Sequence, residues 1–188
     1  MTDQPMENKC RCIWCNPANP LYIQYHDEEW GRLCTDDHYL FEMLILESFQ
    51  AGLSWECILN KRENFRLAYD QFDLDKVCSY DEEKAAELLQ NPGIVRNRLK
   101  VKASISNARI FRQLAAEYGS FWNYLNQYVE NRILVEEHRV TNELSDAISK
   151  DLKKHGMKFV GSTIIYAYLQ AIGVINSHEP GCFLYPRQ

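Results

Sequence analysis

The stretch from residue 36 to residue 50 constrains the fold most, because it has the pattern of a long helix with one apolar side. Leu40, Met43 and Leu44 recur there at helical spacing. The next position on that side holds Glu47 instead of an aliphatic residue. Uncompensated burial of a carboxylate is costly, so Glu47 needs a partner, a raised pKa or a cavity to face. The alternative is that Glu47 lies at the edge of the stripe and reaches water or an Arg.

Trp55 follows this helix after a short turn that contains a glycine. An aromatic ring beside an acid suits a flat polar ligand, since the ring offers a face for stacking and the acid offers hydrogen bonds. The combination of Glu47 and Trp55 therefore favours a ligand-binding site over an acid at the edge of the stripe.

The rest of the chain also carries helical signals, and no period-two runs indicate strands. Caps and breakers predict further helices at residues 54–69, 79–90, 94–118, 120–128, 145–155 and 162–173. In the long helix we expect four residues to face inward: Leu99, Ile105, Ala108 and Leu114. Residues 10–34 are predicted to be irregular or short-helical, and residues 129–144 to form a linker. The prediction is a single all-α domain over residues 10–188, preceded by a flexible tail at residues 1–9.

Size, charge and cysteine content limit the class of protein. A chain of 188 residues with 46% hydrophobic residues can bury one substantial core. A net charge of −5 argues against a protein that coats nucleic acid by bulk electrostatics, although a local basic face remains possible. No apolar run has membrane-spanning length and no secretory signal is visible, so we expect a cytoplasmic protein. Its seven cysteines are then expected to be free thiols or metal ligands.

The region of residues 145–173 has the pattern of two helices joined by a tight hairpin. Glycines at 156 and 161 permit sharp turning, and the second leaves free amides at the start of the next helix, which suit an anion. Basic residues crowd the hairpin, namely Lys150, Lys153, Lys154, His155 and Lys158, and a second basic cluster comprises Arg96, Arg98, Lys100 and Lys102. Two basic clusters near helix starts indicate a phosphate backbone as ligand. The alternative is that both are ordinary solvated helix faces.

A possible metal site joins the two ends of the chain. His178 and Cys182 have the spacing of metal ligands, and Cys12 with His26 would complete a closed tetrahedral set. Such a site has no open position, so its zinc would be structural. Spacing leaves two alternatives open, which are a local cluster of Cys10, Cys12 and Cys15 and a set of unligated side chains.

Taken together, these features resemble the DNA-3-methyladenine glycosylase I family of the helix-hairpin-helix DNA glycosylase superfamily. The matching blocks extend over nearly the whole chain, at residues 11–14, 20–31, 40–43, 46–55, 61–64, 72–73, 158–161 and 178–182. Most of that superfamily has an Asp shortly after the second hairpin helix. This chain has none at residues 174–178, and the 3-methyladenine family shares that absence.

The resemblance implies a role for each group of matching residues. Glu47 is expected to be the catalytic pocket acid that recognises the base, with aromatic walls formed by Trp14, Tyr25 and Trp55. The zinc set implied by the resemblance is Cys12, His26, His178 and Cys182, which leaves Cys10 and Cys15 without a role. The hairpin expected to bind DNA phosphate comprises Lys158, Phe159, Val160, Gly161 and Ser162.

The activity implied by the resemblance is hydrolysis of the N-glycosidic bond of 3-methyladenine in alkylated double-stranded DNA, without a lyase step. Nothing in the sequence requires more than a monomer, so we expect a monomer. The main alternative is a helix-hairpin-helix DNA-binding module without catalysis, although backbone binding does not need a buried acid. A zinc hydrolase is disfavoured because four protein ligands close the metal site. A mismatch glycosylase is disfavoured because it would require a catalytic Asp and often an iron–sulfur loop, whereas the C-terminal segment contains only Cys182.

Overall fold

A computed structural model describes residues 9–186 and shows a mostly helical protein. Residues 1–8, which make up most of the predicted tail, lie outside the described residues, as do residues 187–188. In the described part no helix is both long and apolar enough to cross a membrane. The helices are α1 Pro20–Glu28, α2 Asp37–Gln50, α3 Trp55–Leu59, α4 Arg62–Ala68, α5 Leu74–Ser79, α6 Glu82–Gln90, α7 Arg98–Tyr118, α8 Phe121–Val129, α9 Glu143–Lys154 and α10 Ser162–Ala171, with a 3-10 turn at Asp70–Phe72.

Helix α2 lies at the centre of the molecule. Asp36 caps its first turn by accepting a hydrogen bond from the Tyr39 amide. Every residue from 40 to 49 is buried, because α3, α7, α8 and α10 pack around the helix. The predicted helix is confirmed, but its burial is far wider than the apolar stripe that predicted it. Glu42 and Ser48 are therefore also inside the protein.

The helix predicted at residues 54–69 is in fact two helices, α3 and α4, and this prediction was wrong. Ser54 caps α3 as expected, but the helix ends after five residues and the chain turns before Arg62. Breaking the helix lets Arg62 point into the core and bind two acids, Glu42 of α2 and Glu29 just after α1. The break thus depends on partners distant in sequence.

Two predicted helix starts are displaced. The helix expected from residue 79 begins at Glu82, where Asp81 caps it, and Ser79 instead ends α5. The helix expected from residue 94 begins at Arg98 with Asn97 as its cap. In both cases the side chain that makes the cap hydrogen bond lies two or three residues further along the chain.

Helix α7 is the longest helix, and most of its predicted inward face is confirmed. Ile105, Ala108 and Leu114 are buried, but Leu99 is 70% exposed and its prediction was wrong. The adjacent Lys100 is buried in its place. Its ammonium donates hydrogen bonds to the carbonyls of Phe49 (2.7 Å) and Ala51 (2.6 Å) and so satisfies the carboxyl end of α2.

The chain contains a short pair of parallel strands that the all-α prediction missed. Strand β1 is Leu134–Val135, inside the segment predicted to be a linker, and β2 is Ile175–Asn176. Strands of two residues are too short to show an alternating pattern, so the sequence carried no signal for them. Their pairing holds the linker segment against the chain that follows α10.

Helices α9 and α10 pack against each other and are joined by a tight turn at residues 155–161. Asn142, not Ser145, caps α9, and the two side chains form a reciprocal capping box. Met157 and Val160 are buried under the turn. The expected start of α10 after Gly161 is confirmed.

Candidate active site

A cavity of about 280 Å³ opens beside the carboxyl-terminal half of α2. It is lined mainly by aromatic and acidic side chains, together with several amides and small residues. The lining residues are Trp14, Tyr22, Tyr25, Trp30, Glu47, Gln50, Trp55, Glu137, His138, Ala167, Gln170, Ser177 and Glu179. The structure therefore brings together all four residues predicted to form the base-binding site.

Glu47 is the buried acid of this cavity. Its side chain is 3% exposed, and its Oε2 atom has no hydrogen-bond partner among the described residues. Burial raises the pKa of the Glu47 carboxyl to about 8, because no cation lies close enough to favour the charged form. The alternative in which Glu47 reaches water or an Arg was therefore wrong. Glu47 instead has the raised pKa and the cavity that its place on the apolar stripe requires.

The aromatic walls are rigidly held. Tyr25 is buried, and its ring centroid lies 5.2 Å from that of Trp55 at an interplanar angle of 46°. On the other side Trp14 contacts Trp30 edge to face at 4.7 Å. These walls come from α1, α3 and the segment before α1, so three parts of the chain converge on the acid of α2.

Four buried polar atoms of the cavity lining lack a hydrogen-bond partner among the described residues: Oε2 of Glu47, Oε1 of Gln50, Nε1 of Trp55 and Oγ of Ser177. Buried polar groups are nearly always hydrogen-bonded in native proteins, so such a concentration points to a ligand that completes the bonds. Three of the atoms are oxygens, of which the Ser177 hydroxyl can also donate, and the fourth is the N–H donor of Trp55. The arrangement can hold a flat molecule against aromatic rings and form hydrogen bonds to its edge.

Sequence reasoning missed most of the cavity's rim. Gln50 follows Glu47 by three residues on α2, so helical spacing could have identified it. Glu137 and His138 belong to the segment that was predicted to be a linker, and Gln170 lies near the end of α10. The β1–β2 pairing and side-chain bonds from distant residues hold the linker segment at the cavity, and no local pattern predicts those contacts.

The structure brings Cys12, His26 and Cys182 together. Their ligand atoms, two Sγ and one ring nitrogen, lie within 4.8 Å of one another, and all three residues are buried. The alternative local cluster is not formed, because Cys10 is exposed and the Cys15 thiol is directed to the Tyr22 carbonyl at 3.7 Å.

His178 lies beside this cluster, with its ring centroid 5.2 Å from that of His26. Its Nε2 atom is buried and has no partner among the described residues, while Nδ1 is 2.9 Å from Asn176 Oδ1. His26 likewise uses Nδ1 to bind Asp27 at 2.8 Å. Burial lowers the pKa of His178 to about 4, so its ring is neutral. Two neutral imidazoles oriented through Nδ1 and two thiols are a donor set that fits zinc.

The turn between α9 and α10 is held in a defined conformation by hydrogen bonds to its backbone. Lys158 is exposed, and its backbone is fixed because Asn107 Nδ2 donates to its carbonyl (2.8 Å) and its amide donates to Asn107 Oδ1 (2.9 Å). Phe159 has a positive φ of 55°, and the Val160 carbonyl accepts a hydrogen bond from a serine of α9 at 2.7 Å. At Gly161 no side chain caps α10, which leaves the amides at that end of the helix available.

The two predicted basic clusters differ. The residues of the hairpin cluster are all exposed, as expected: Lys150, Lys153, Lys154, His155 and Lys158. The second cluster is not a phosphate-binding face as predicted, because Lys100 is buried against α2 and Lys102 pairs with Glu82 at 2.9 Å. Only Arg96 and Arg98 of that cluster are both exposed and free of ion pairs with the described residues.

Comparison with known proteins agrees with this geometry. The family model for methyladenine glycosylases matches residues 14–185. The chain is 45% identical over 182 residues to DNA-3-methyladenine glycosylase 1 of Escherichia coli (strain K12), covering 94% of this chain and 97% of that protein. A crystal structure of a 3-methyladenine DNA glycosylase I matches with a TM-score of 0.90 and 44% identity, over 94% of this chain and 100% of that chain.

A second solved structure describes 3-methyladenine recognition by the glycosylase I of Staphylococcus aureus. It matches with a TM-score of 0.89 and 32% identity, over 95% of this chain and 97% of that chain. The family model covers most of the chain, and the relatives are matched over nearly their full length. This protein therefore belongs to the methyladenine glycosylase family.

Proposed function

We propose that the protein removes 3-methyladenine from alkylated double-stranded DNA by hydrolysing its N-glycosidic bond, without a lyase step. The observation that carries this proposal is the unpaired, buried carboxyl of Glu47 facing an aromatic cavity of about 280 Å³. The E. coli relative bears the name of this activity, and the S. aureus relative recognises 3-methyladenine. A DNA-binding module alone would have no use for such a cavity.

The reaction needs little acid catalysis. Methylation at N3 puts a positive charge on the base, so the leaving group departs neutral after taking the bonding electron pair. The protein must therefore extract and recognise the base, which costs a few kcal/mol in lost stacking. Stacking of the base on the aromatic rings of Trp55 and Tyr25 offsets part of that cost, since base–aromatic stacking contributes about 1–3 kcal/mol per base.

Glu47 supports recognition of this base in two ways. Its unpartnered oxygen can accept a hydrogen bond from the exocyclic amine of adenine. Its pKa of about 8 keeps the empty site largely neutral at pH 7, and a cationic base entering the cavity favours the ionised form. The acid thus interacts more strongly with the alkylated base than with an ordinary one.

The hairpin between α9 and α10 is proposed to bind a DNA phosphate. The free amides at the start of α10 and the exposed ammonium of Lys158 offer an anion hydrogen bonds and positive charge. Gly161 and Ser162 would let the backbone approach the phosphate closely. Phe159, with its positive φ, and the buried Val160 shape the turn. Such contacts position the protein on DNA without reading its sequence.

A structural zinc ion bound by Cys12, His26, His178 and Cys182 is also proposed. Its support is the clustering of three ligands within 4.8 Å and the unpartnered Nε2 of the fourth. A zinc ion there would hold the segment before α1 against the segment after β2, and with it the wall formed by Trp14. Elemental analysis of the purified protein is expected to find one zinc per chain, and its absence would contradict the proposal.

The activity is tested by incubating the protein with methylated duplex DNA and identifying the freed bases by mass spectrometry. The expected result is release of 3-methyladenine while 7-methylguanine stays in the DNA. Release of several alkylated bases would retain the glycosylase activity but contradict a selective cavity. Binding of DNA without release of any base would instead support the non-catalytic module.

A further inference from the structure

The rim of the cavity carries negative charge from acidic residues that have no role in the proposed function. Besides Glu47, the lining includes Glu137 and Glu179, and among the described residues no Lys or Arg lines the cavity. Glu179 uses its Oε2 atom to accept a hydrogen bond from the Ile13 amide at 2.7 Å. Glu137 has no such backbone partner in the described chain. Glu137 is therefore an acid of the cavity lining whose position is not explained by a bond to the backbone.

The segment that carries Glu137 is held firmly at the cavity. Just before it, the backbone amide of Leu134 donates to Val174 (2.9 Å), and that of Glu136 donates to Asn176 (3.1 Å). These bonds form the parallel β1–β2 pair. A segment fixed in this way presents its next side chains at a defined position.

Side-chain bonds fix the same segment from two directions. Oε2 of Glu136 accepts hydrogen bonds from Tyr166 Oη (3.1 Å) and Asn142 Nδ2 (2.9 Å). Oε1 of Glu137 accepts a hydrogen bond from Tyr185 Oη at 2.9 Å. The single bond to Tyr185 occupies one oxygen of Glu137 and leaves the other available. A neutral phenol orients the carboxylate without cancelling its charge, as an Arg or Lys partner would.

An acid at this place conflicts with DNA binding. DNA is a polyanion, and a carboxylate at the mouth of a site that receives a flipped nucleotide repels the neighbouring phosphates. The hydrogen bonds that hold this segment keep the carboxylate of Glu137 at a fixed place beside the cavity. The unfavourable charge is understandable if it favours a step that follows binding, namely entry of a base that is itself positively charged.

We propose that Glu137, oriented by Tyr185, is a specificity-determining residue that favours entry of cationic N-alkylated purines into the cavity over neutral bases. The inference rests on the proposed function and deepens it by naming the property of the substrate that the rim selects. Glu47 recognises the base inside the cavity, whereas Glu137 acts at the entrance. The freed base is neutral, so Glu137 favours the substrate and not the product.

The test compares Glu137→Gln with the wild type in three measurements on the full chain. These are kcat/KM for 3-methyladenine release from methylated duplex DNA, the Kd for undamaged duplex, and the Kd for free 3-methyladenine. For a charge at a partly solvated rim we expect kcat/KM to fall about threefold to tenfold. We expect undamaged DNA to bind as tightly as before or more tightly, and binding of the neutral free base to stay unchanged.

Two further variants make the test specific. Glu130→Gln removes the same charge from an exposed acid of the preceding segment, paired with Arg132, and should leave all three measurements unchanged. Tyr185→Phe keeps the carboxylate but frees it, and should lower kcat/KM by about twofold to threefold with the same pattern. Because Tyr185→Phe tests the orientation of Glu137 without altering that residue, the proposal stays testable if Glu137→Gln folds poorly.

The outcomes separate the possible failures. A kcat/KM of Glu137→Gln equal to the wild type would overturn this inference and leave the proposed function intact. A parallel loss of DNA binding, free-base binding and excision would also overturn it, because that pattern indicates a purely structural role. If the wild type itself released no 3-methyladenine, the proposed function and this inference would fail together.

Discussion

Helix α2 carries two buried acids, and their surroundings differ completely. Glu42 is 2% exposed and accepts hydrogen bonds from Arg62 Nε (2.8 Å) and Arg66 Nε (2.7 Å). Glu47 is 3% exposed and has no cation nearby. Burial disfavours ionisation at both positions, but at Glu42 the two arginines outweigh it and lower the pKa. A buried carboxylate therefore indicates a functional site only when its partner is missing.

The two halves of the helix thus have different tasks. The half around Glu42 contributes to an ion-pair network that also includes Glu29 and ties α1, α2 and α4 together. The half around Glu47 stores an unfavourable group that a ligand can compensate. Substitutions at the two acids should consequently separate stability from activity.

The largest effect is expected for Glu42→Gln. It leaves the buried Arg62 without one of its two carboxylate partners, and breaking a buried pair in this way costs about 3–4 kcal/mol of unfolding free energy. Urea unfolding measures the loss. The matched control is Glu63→Gln, since Glu63 also pairs with Arg66 but is exposed, and its cost should stay below about 0.5 kcal/mol. Equal losses for the two variants would refute the distinction.

The next largest effect is expected in the pH dependence of folding stability. The pKa of Glu47 is about 8 in the folded protein, against about 4.3 for a Glu in an unfolded chain. The folded state therefore binds more protons between these values, and stability falls as pH rises. Relative to Glu47→Gln, the wild type should lose about 3 kcal/mol between pH 5 and pH 8. Urea unfolding of both proteins across this range checks the difference, and parallel profiles would contradict it.

The contribution of Glu42 to stability should change with pH in the opposite direction to that of Glu47. Its pKa is lowered in the folded protein, so its stabilising contribution is present above the unfolded pKa and is lost as pH falls through the folded one. Compared with Glu42→Gln, the wild type should therefore lose its advantage in acid, not at pH 8. Two acids on one helix would then show opposite pH profiles.

For activity the order of the two acids reverses. Glu47→Gln should lower kcat/KM for 3-methyladenine release about 100-fold, or about 2.7 kcal/mol, because it removes the carboxyl that ionises when the cationic base enters the site. Its stability at pH 8 should equal or exceed that of the wild type. Folded Glu42→Gln should retain most of its activity. An inactive but folded Glu42→Gln would show that the network shapes the cavity as well as the core.

The smallest effect is expected at the carboxyl end of α2, where Lys100 forms hydrogen bonds to the last carbonyls. Lys100→Met removes the two hydrogen bonds to the carbonyls of Phe49 and Ala51 and should cost about 2 kcal/mol. Lys102→Met, on the same helix and paired only at the surface with Glu82, is the control and should cost less than about 0.5 kcal/mol. Thermal unfolding at fixed pH distinguishes them. A Lys100→Met protein as stable as its control would show that solvent can satisfy these carbonyls.

What the sequence could predict follows from the range of the interactions involved. Glu47 was predictable because helical spacing placed it among Leu40, Met43 and Leu44, and the nearby Trp55 supported a binding site. Glu42 was not singled out, because its burial depends on helices that cover the other sides of α2. Periodicity shows one apolar face and gives no sign of a helix enclosed on every side.

The same limit explains the other differences. Lys100 belongs to a basic run in the sequence, and only the end of α2 gives its ammonium two carbonyl partners. Glu137 and His138 lie at the cavity because two-residue strands pair across a long stretch of chain. The cavity's acid and aromatic walls could be predicted, but its rim could not, since the rim is assembled by contacts distant in sequence.

The cluster of Cys12, His26, His178 and Cys182 has a consequence for synthesis of the protein. Its members come from opposite parts of the chain, and Trp14 and Tyr25 of the cavity wall lie beside the early members. A ribosome makes the early members first, and their partners exist only once more than 150 further residues have been added. The cavity can therefore be completed only late, so a partly made chain has no finished pocket with which to attack DNA.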